Sequence, residues 1–515
     1  THIAADIETG GSRGAGLHFQ RGYILMLGLT SNLSNGNMVD IIPGDLIWEN
    51  EDLMHQLLGN KAKWIWQNGK FDVKFFRHEG IQEARVDEDT MLLSYTLNEN
   101  KGHDLDTIAW DWIGAPKHKN MIDDWFHANR IARKNWDYGL IPKEMLYQYA
   151  AYDISKTYKM FWPLKAAVEA DPHSSKEYND LLIPGSEFLV QVEMKGLKLD
   201  PIRVKENDDY ILGLQQEADA AIQEWAIKYT GHQINIGSPQ QLSDLLYNRM
   251  KLGPIGGSTD EDHLIKIQRR FDHPIVPLLM RWRKHAKARN TYVKSVYGTV
   301  DKKGRPDKMP WAGTDGRVHV SFKLHGTTTG RLASSDPTNV QNWPRDARIR
   351  GQVVAEDGHV LVEVDLNQAE LRCLALMSGD PTLMAIYTAN EVSIHHITSV
   401  AMFGENYTSD EKMRAKAVNF GIVYGRTGPS LAEEFNISLA EANEYIKVWL
   451  ARYPVAAKFI EGCREAPHKQ RTLITNFGRR KRWGAVSFEN ARNLENEAAN
   501  FPHQSTAHDI TGSST

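Results

Sequence analysis

The chain has 515 residues, enough for about three domains, and its 41% hydrophobic content suffices for ordinary buried cores, which excludes fibrous and wholly disordered proteins. Its 61 Lys and Arg against 65 Asp and Glu give a net charge of -4, so a polyanion would have to be met by local basic patches. Two cysteines, Cys373 and Cys463, are too few for a disulfide framework. No apolar stretch is long enough for a membrane helix and no secretory pattern opens the chain, so we expect a cytoplasmic protein with no membrane partner.

The first 165 residues alternate short apolar runs with helical patterns. The runs at 3–7, 24–29 and 64–66 predict strands, and the periodicity at 90–97 predicts a helix. An α/β domain with a mixed sheet is therefore expected. Residues 171–175 form a polar cluster with a proline, which predicts a linker and a domain boundary near residue 170.

The middle of the chain has mainly helical patterns. Pro201 opens a long helical segment that reaches about Thr230, and Ser238-Pro239 opens another. Residues 264–308 then hold 13 Lys and Arg against three Asp, with aromatic residues interleaved. Such a composition favours contact with a nucleic-acid backbone, and a solvated helical face is the alternative.

Three short acidic patterns stand out in the first domain. Asp6 and Glu8 are two apart in a predicted strand, so both point to one face of the sheet, although an edge strand with solvated acids would look the same. Asp72 opens a helix after an apolar strand, where the helix dipole alone would also favour an acid. Tyr149 and Asp153 are four apart and share a helical face.

In the second half, residues 359–365 are apolar and predict a buried strand with Asp365 at its C-terminal end. An acid at the end of a strand is a common position for a functional carboxylate. An Asp that caps the following helix is the alternative.

Further along, Lys412, Lys416, Phe420 and Tyr424 recur every four residues and so lie within about 120° of one helical face. This face predicts a triphosphate held by the lysines, with a base stacked on an aromatic ring one turn away. Core aromatics with solvated lysines at one end of the helix are the alternative.

The order Asp-x-Glu, Asn-x-x-Phe-Asp and Tyr-x-x-x-Asp resembles the three motifs of proofreading 3′-to-5′ exonucleases, whose domain is a ribonuclease H-like α/β fold. The resemblance implies that Asp6, Glu8, Asp72 and Asp153 hold two Mg²⁺ or Mn²⁺ ions at the 3′ end of a single DNA strand, and that Tyr149 orients the attacking water. Four carboxylates suit that chemistry, since one cation activates water and the other stabilises the leaving oxygen.

Residues 359–372 and 412–425 resemble motifs A and B of the family A DNA polymerases. The resemblance implies that Asp365 binds the two catalytic metal ions, that Lys416 acts on the triphosphate, and that Glu370 crowds a ribose 2′-hydroxyl. The implied nucleotide-binding residues are Gln368, Glu370, His395, Lys412, Lys416, Phe420 and Tyr424. Residues 329–332 with Asn339, Gln341 and Asn342 resemble the family's primer-template motif, and residues 500–504 resemble a later one. These matches imply the primer-template DNA contacts Arg331, Asn339, Gln341, Asn342, Asn500 and Gln504, where donors in the minor groove could check base-pair shape.

Two departures from the family pattern bear on activity. Lys412 stands where Arg is usual, so a bidentate grip on phosphate becomes a point charge. Motif C, a His-Asp-Glu hairpin with the second metal-binding carboxylate of the polymerase site, is absent, and His508-Asp509 fits the helix before it. We therefore expect a C-terminally truncated polymerase site, or a separate chain that supplies motif C.

The sequence thus predicts an α/β exonuclease domain over residues 1–170 and a polymerase domain over 171–515 with a right-hand architecture. The expected thumb is mainly helical at about 200–310, the α+β palm lies at about 311–375 and 465–515, and the fingers at about 376–464. The expected function is template-directed DNA synthesis from deoxynucleoside triphosphates with proofreading, in a bacterial or phage-infected cytoplasm. A stand-alone exonuclease with a DNA-gripping second half, a single-subunit RNA polymerase and a non-catalytic DNA-holding protein are the alternatives.

Overall fold

The computed structural model describes residues 1–253, 257–300, 306–389 and 393–514. No helix in these ranges is long and apolar enough to cross a membrane.

The N-terminal unit is a mixed sheet with helices on both faces. Its strand order is β3-β2-β1-β4-β5, in which β1 is antiparallel to β2 and parallel to β4. The strands are β1 (His2–Gly10), β2 (Tyr23–Ser31), β3 (Asp40–Pro43), β4 (Lys63–Trp66) and β5 (Glu88–Asp89). The helices are α1 (Gly44–Glu49), α2 (Glu51–Leu58), α3 (Lys70–His78), α4 (Thr90–Leu97), α5 (Leu105–Ile113), α6 (Asn120–Ala128) and α7 (Lys143–Glu169).

Two cores form because successive strand residues point to opposite faces of this sheet. Ala4 packs with α4, α5 and α7, whereas its neighbour Ala5 packs with α2 and α3 on the other face. The predicted α/β fold with a mixed sheet is confirmed.

The predicted linker at residues 171–175 is wrong. Asp171 caps a helix, α8 (Pro172–Lys176), because its side chain accepts a hydrogen bond from the His173 amide. Aspartate and proline are as typical of a helix start as of a loop. The domain boundary near residue 170 stays a prediction.

Two long helices, α10 (Pro201–Thr230) and α13 (Ile275–Tyr292), pack along each other in the middle of the chain, and α10 has the predicted bounds. Residues 301–305 of the predicted basic stretch lie outside the described residues. The helices are α9 (Ile183–Lys195), α10 (Pro201–Thr230), α11 (Pro239–Ser243), α12 (Glu261–Phe271), α13 (Ile275–Tyr292) and α14 (Ala347–Arg350). The short strands are β6 (Leu197–Lys198), β7 (Thr299–Val300), β8 (Pro306–Lys308), β9 (Arg317–Val318), β10 (Phe322–Lys323) and β11 (Ala333–Ser334).

The last third of the chain is a helical assembly with one hairpin. Its helices share a core that includes Leu371, Val418, Trp449 and Ala499. The helices are α15 (Ala369–Ser378), α16 (Pro381–Ala389), α17 (Ile394–Phe403), α18 (Ser409–Val423), α19 (Gly428–Phe435), α20 (Leu439–Arg452), α21 (Pro454–Glu465) and α22 (Ala491–Ser513). The hairpin consists of β12 (Thr472–Ile474) and β13 (Arg480–Arg482).

The predicted buried strand at 359–365 is wrong. These residues have no regular structure, and Val360, Val362 and Val364 are 81%, 78% and 84% exposed. A strand needs a neighbour to pair its backbone N–H and C=O groups, and no strand of the described residues pairs with this segment.

Candidate functional site

The central strand and the longest helix of the N-terminal unit bring three carboxylates together. Asp6 and Glu8 follow Ala4 on the α7 side of β1, and α7 places Asp153 opposite them. One oxygen of each carboxylate lies within 4.8 Å of the others. The alternative of a solvated edge strand is excluded, because β1 is the middle strand and Glu8 is only 7% exposed.

The fourth predicted acid, Asp72, lies beside this trio. Its helix α3 starts from a turn in which the amides of Asn68 and Gly69 donate to Asp89, at 3.2 and 2.9 Å. This turn directs Asp72 toward β1, where its Oδ1 accepts a hydrogen bond of 3.1 Å from the Ile7 amide. The structure therefore brings all four predicted acids of the first domain to one place.

Burial and mutual repulsion make this cluster unfavourable when it is fully ionised. Burial raises the pKa of Asp6 and of Glu8 well above the usual range, and the charges of Asp72 and Asp153 raise both further. Burial also raises the pKa of Asp72 to about 8, against the opposing effect of the Ile7 amide. A bound divalent cation would relieve this repulsion, and carboxylate oxygens are the donors that Mg²⁺ and Mn²⁺ prefer. The residues present fit such an ion.

A buried phenol faces the carboxylates. Burial and the charges of Asp153 and Glu8 raise the pKa of Tyr149. The Tyr138 ring lies 6.3 Å from the Tyr149 ring, and burial raises the pKa of Tyr138 in the same way. Both phenols are therefore protonated near neutral pH and can act as hydrogen-bond donors.

Sequence reasoning missed His118, in the loop after α5. Its Nε2 lies 2.9 Å from Asp153 Oδ1, and its ring packs on Tyr149 at a centroid distance of 5.0 Å. On its other side, Nδ1 lies 2.5 Å from Lys156 Nζ and 3.2 Å from Asp106 Oδ1. Tyr138 was missed as well, since no short motif surrounds either residue. The sequence offers one sign of a charged network here, which is Lys156, a cation one helical turn after Asp153.

A second group of predicted residues lies on α18 and its neighbours. Lys412 and Lys416 are exposed on α18, and Phe420 stacks on Tyr424 at 6.4 Å. His395, from α17, lies 5.6 Å from the Phe420 ring. Burial and the charges of the two lysines lower the pKa of His395 to about 4, so it is neutral near pH 7.

Residues of three separate segments meet at Glu370. The Tyr424 hydroxyl donates to Glu370, and Arg331 NH2 lies 3.9 Å from the same carboxylate. On the preceding turn, Gln368 accepts a hydrogen bond of 3.0 Å from the Tyr387 hydroxyl. The two predicted motifs of the second half are therefore adjacent.

The predicted DNA contacts fall on two adjoining elements. Asn339, Gln341 and Asn342 lie in the turn after β11, where Gln341 accepts from the Ser334 amide at 2.8 Å. Asn500 and the buried Gln504 lie on α22. This helix is tied to the loop of Arg331, because the Ser505 hydroxyl donates to the Thr329 carbonyl at 2.6 Å.

Asp365 does not join a carboxylate cluster. It is exposed within the irregular segment 359–365. In the part of the chain that the structure describes, the trio of Asp6, Glu8 and Asp153 is the one group of three or more His, Cys, Asp or Glu close enough to hold a metal ion. Asp509, a carboxylate near the end of the chain that can be compared with motif C, lies on α22 and pairs with Arg479 at 2.9 Å.

Comparison with known proteins covers both halves of the chain. Residues 3–169 match the 3′-5′ exonuclease family and residues 208–514 match DNA polymerase family A. DNA polymerase I of Caldicellulosiruptor bescii is 35% identical over 466 residues, which are 85% of this chain and 49% of that protein. The DNA polymerase of Escherichia phage T5 is 27% identical over 537 residues, 93% of this chain and 60% of that protein.

The fold is shared with a solved polymerase. The structure of the POL domain of Pol1 from M. smegmatis, in complex with DNA primer-template and dNTP, aligns with a TM-score of 0.77 at 21% identity. The alignment covers 99% of this chain and 83% of that chain. The chain spans about half the length of the curated bacterial relatives it matches. Because the polymerase family model covers more than half of its residues, the chain belongs to DNA polymerase family A and carries a 3′-5′ exonuclease domain.

Proposed function

We propose that the chain removes nucleotides from the 3′ end of single-stranded DNA by metal-assisted hydrolysis. The observation that carries this proposal is the convergence of Asp6, Glu8 and Asp153 within 4.8 Å, with Asp72 beside them. The proposed cofactor is a pair of Mg²⁺ or Mn²⁺ ions held by these four carboxylates. Ions bound there would lower the pKa of a water molecule and stabilise the leaving oxygen.

The protein's own groups then have separate tasks. Tyr149, which lies near the charge of Asp153 and is kept protonated by burial, orients the attacking water as a hydrogen-bond donor or acceptor. It is not the base, because its raised pKa leaves almost no phenolate near pH 7. His118, whose Nε2 lies 2.9 Å from Asp153 Oδ1, would support that carboxylate in the cluster.

We propose further that the second half of the chain is the nucleotide- and DNA-binding part of a template-directed DNA polymerase. Lys412 and Lys416 would bind the triphosphate, and Phe420 with Tyr424 would pack on the base and sugar. Glu370, which is fixed by Tyr424, would exclude a ribose 2′-hydroxyl and so favour deoxynucleotides. Primer-template DNA would lie along Arg331, α22 and the turn after β11.

We propose that the polymerase metal site is completed by a His-Asp-Glu hairpin, either in adjoining sequence or on a separate chain. Segment 359–365 exposes its valines and its backbone, as a strand without its neighbour would. Pairing with such a hairpin would bury those valines and place a second carboxylate beside Asp365. A stand-alone exonuclease is the second candidate, favoured by the exposed position of Asp365.

One incubation separates these functions. A 5′-labelled primer annealed to a longer template is incubated with Mg²⁺, with and without the four deoxynucleoside triphosphates. Shortening of the primer without nucleotides supports the exonuclease, and its absence contradicts it. Adding the hairpin segment should restore extension, whereas continued failure to extend would favour the stand-alone exonuclease.

A further inference from the structure

A buried polar cluster joins three helices behind the proposed nucleotide-binding face. Asn419 of α18 is fully buried and contacts His395 and Thr398 of α17 and Trp449 of α20. All three contacts are 2.9 to 3.0 Å long. A buried amide with this many partners has one orientation, which its neighbours determine.

Trp449 determines the orientation of the Asn419 side-chain amide. Its indole nitrogen carries a hydrogen and can only donate, so the Asn419 atom that lies 2.9 Å away must be the carbonyl oxygen Oδ1. The Thr398 hydroxyl donates to the same oxygen at 2.9 Å. The amide nitrogen Nδ2 therefore faces His395.

The orientation of Asn419 in turn sets the protonation of His395. Nδ2 can only donate, and it lies 3.0 Å from His395 Nδ1, which must therefore be the unprotonated ring nitrogen. In a neutral imidazole the proton then resides on Nε2. Nε2 makes no hydrogen bond to any residue that the structure describes, while the charges of Lys412 and Lys416 reach the ring.

We propose that Asn419 is a positioning residue that holds His395 as the Nε2–H tautomer, so that His395 donates a hydrogen bond to a triphosphate oxygen of the incoming nucleotide. The inference rests on the proposed nucleotide-binding role of the α18 face. Phosphate oxygens only accept hydrogen bonds, so the other tautomer would present a lone pair to them. Two lysines and one imidazole N–H would then form a surface made only of donors.

The tautomer can be read directly from nitrogen chemical shifts. Long-range ¹H–¹⁵N correlation spectra of the ¹⁵N-histidine-labelled chain, with His395 assigned by its loss in His395→Gln, should show a proton on Nε2 throughout pH 6 to 8. A proton on Nδ1 would overturn the inference. This measurement needs neither catalysis nor nucleotide.

A second measurement asks whether Asn419 acts through His395. Asn419→Asp places a carboxylate against Nδ1 and favours the imidazolium form, so dNTP affinity relative to wild type should rise about tenfold between pH 8 and pH 6. The charged groups that act on the ring are Lys412 and Lys416, and Phe420 packs against it. Asn207→Asp is the matched control, a buried asparagine on α10 that contacts Arg348 instead.

Failure of the Asn419 role and failure of the nucleotide-binding role would give different results. In a His395→Ala background, Asn419→Asp should change the Kd for dNTP less than about twofold and without the added pH dependence, since nothing remains for it to position. An undiminished effect there would mean that Asn419 acts through packing alone and would overturn the inference. Failure of the wild-type chain to bind dNTP would overturn the nucleotide-binding role itself, whichever tautomer is found.

Discussion

Single side chains of the exonuclease site differ in how well the sequence reveals them. Asp6, Glu8 and Asp153 could be predicted because their motifs, taken in order, resemble those of proofreading exonucleases. Periodicity alone showed only that Asp6 and Glu8 share one face of a strand. His118 could not, because it lies in a loop and contacts Asp153 across 35 residues. A lone histidine in a polar loop has no pattern that points to its partner.

At the residue scale, replacing Asp72 tests the electrostatics of the cluster. Its folded-state pKa of about 8 lies above the ordinary carboxyl value, so the folded protein binds the proton more tightly than the unfolded chain. Stability is therefore lost as pH rises from about 4 to about 8. Asp72→Asn should reduce this loss by a few kcal/mol in metal-free urea unfolding, and an unchanged pH dependence would contradict the account.

His118 provides a second test at this scale. Because it supports Asp153 rather than binding metal itself, His118→Ala should slow the exonuclease and weaken Mn²⁺ binding, each by about tenfold. Mn²⁺ affinity is measured by electron paramagnetic resonance and the rate by digestion of a single strand. His127→Ala on α6 is the control, since His127 contacts Trp136 instead. Full Mn²⁺ affinity in His118→Ala would show that the contact has no role in the site.

Among the elements, two segments with similar apolar patterns differ in structure, because one is a paired strand and the other has no regular structure. Residues 3–7 and 359–365 both predict strands, and only the first has neighbours on each side, β2 and β4. An apolar run describes what a segment can bury, but the pairing strand decides whether it is buried. The prediction therefore failed where the partner was missing from the described residues.

Hydrogen exchange distinguishes the two segments. We expect the amides of 360–365 to exchange within seconds at near-intrinsic rates, because their backbone groups are unpaired, while amides in β1 stay protected for hours. Mass spectrometry of peptides from each segment measures both. Slow exchange at 360–365 in the isolated chain would mean that the segment is already paired.

At the scale of the whole molecule, a buried arginine joins the exonuclease unit to the C-terminal helices. Arg479 donates to Glu177 at 2.8 Å, to Asp509 at 2.9 Å and to the Tyr95 hydroxyl at 3.2 Å. Arg479 opens a run of four basic residues, 479–482, but nothing in the sequence indicates its partners, because these lie 30 to 384 residues away. Contacts at such distances have no periodic signature.

Removing this arginine should destabilise the molecule strongly. Arg479→Met leaves Glu177 and Asp509 buried without their cation, which costs about 3 to 5 kcal/mol in the free energy of unfolding. Arg480→Met is the control, because the Arg480–Asp171 pair is partly exposed and should contribute less than about 1 kcal/mol. Urea unfolding followed by circular dichroism compares the two variants, and equal small effects would show that Arg479 does not join the two parts.

Digestion of a 5′-labelled single DNA strand with Mg²⁺ shows whether the converging carboxylates hydrolyse DNA. The wild-type chain should produce a ladder of strands shortened from the 3′ end. Asp153→Asn should reduce the rate by about a thousandfold, or about 4 kcal/mol of activation free energy. Asp111→Asn, which alters an exposed acid paired with Lys101, should keep the wild-type rate. A ladder of equal intensity from Asp153→Asn, or none from wild type, would contradict the account.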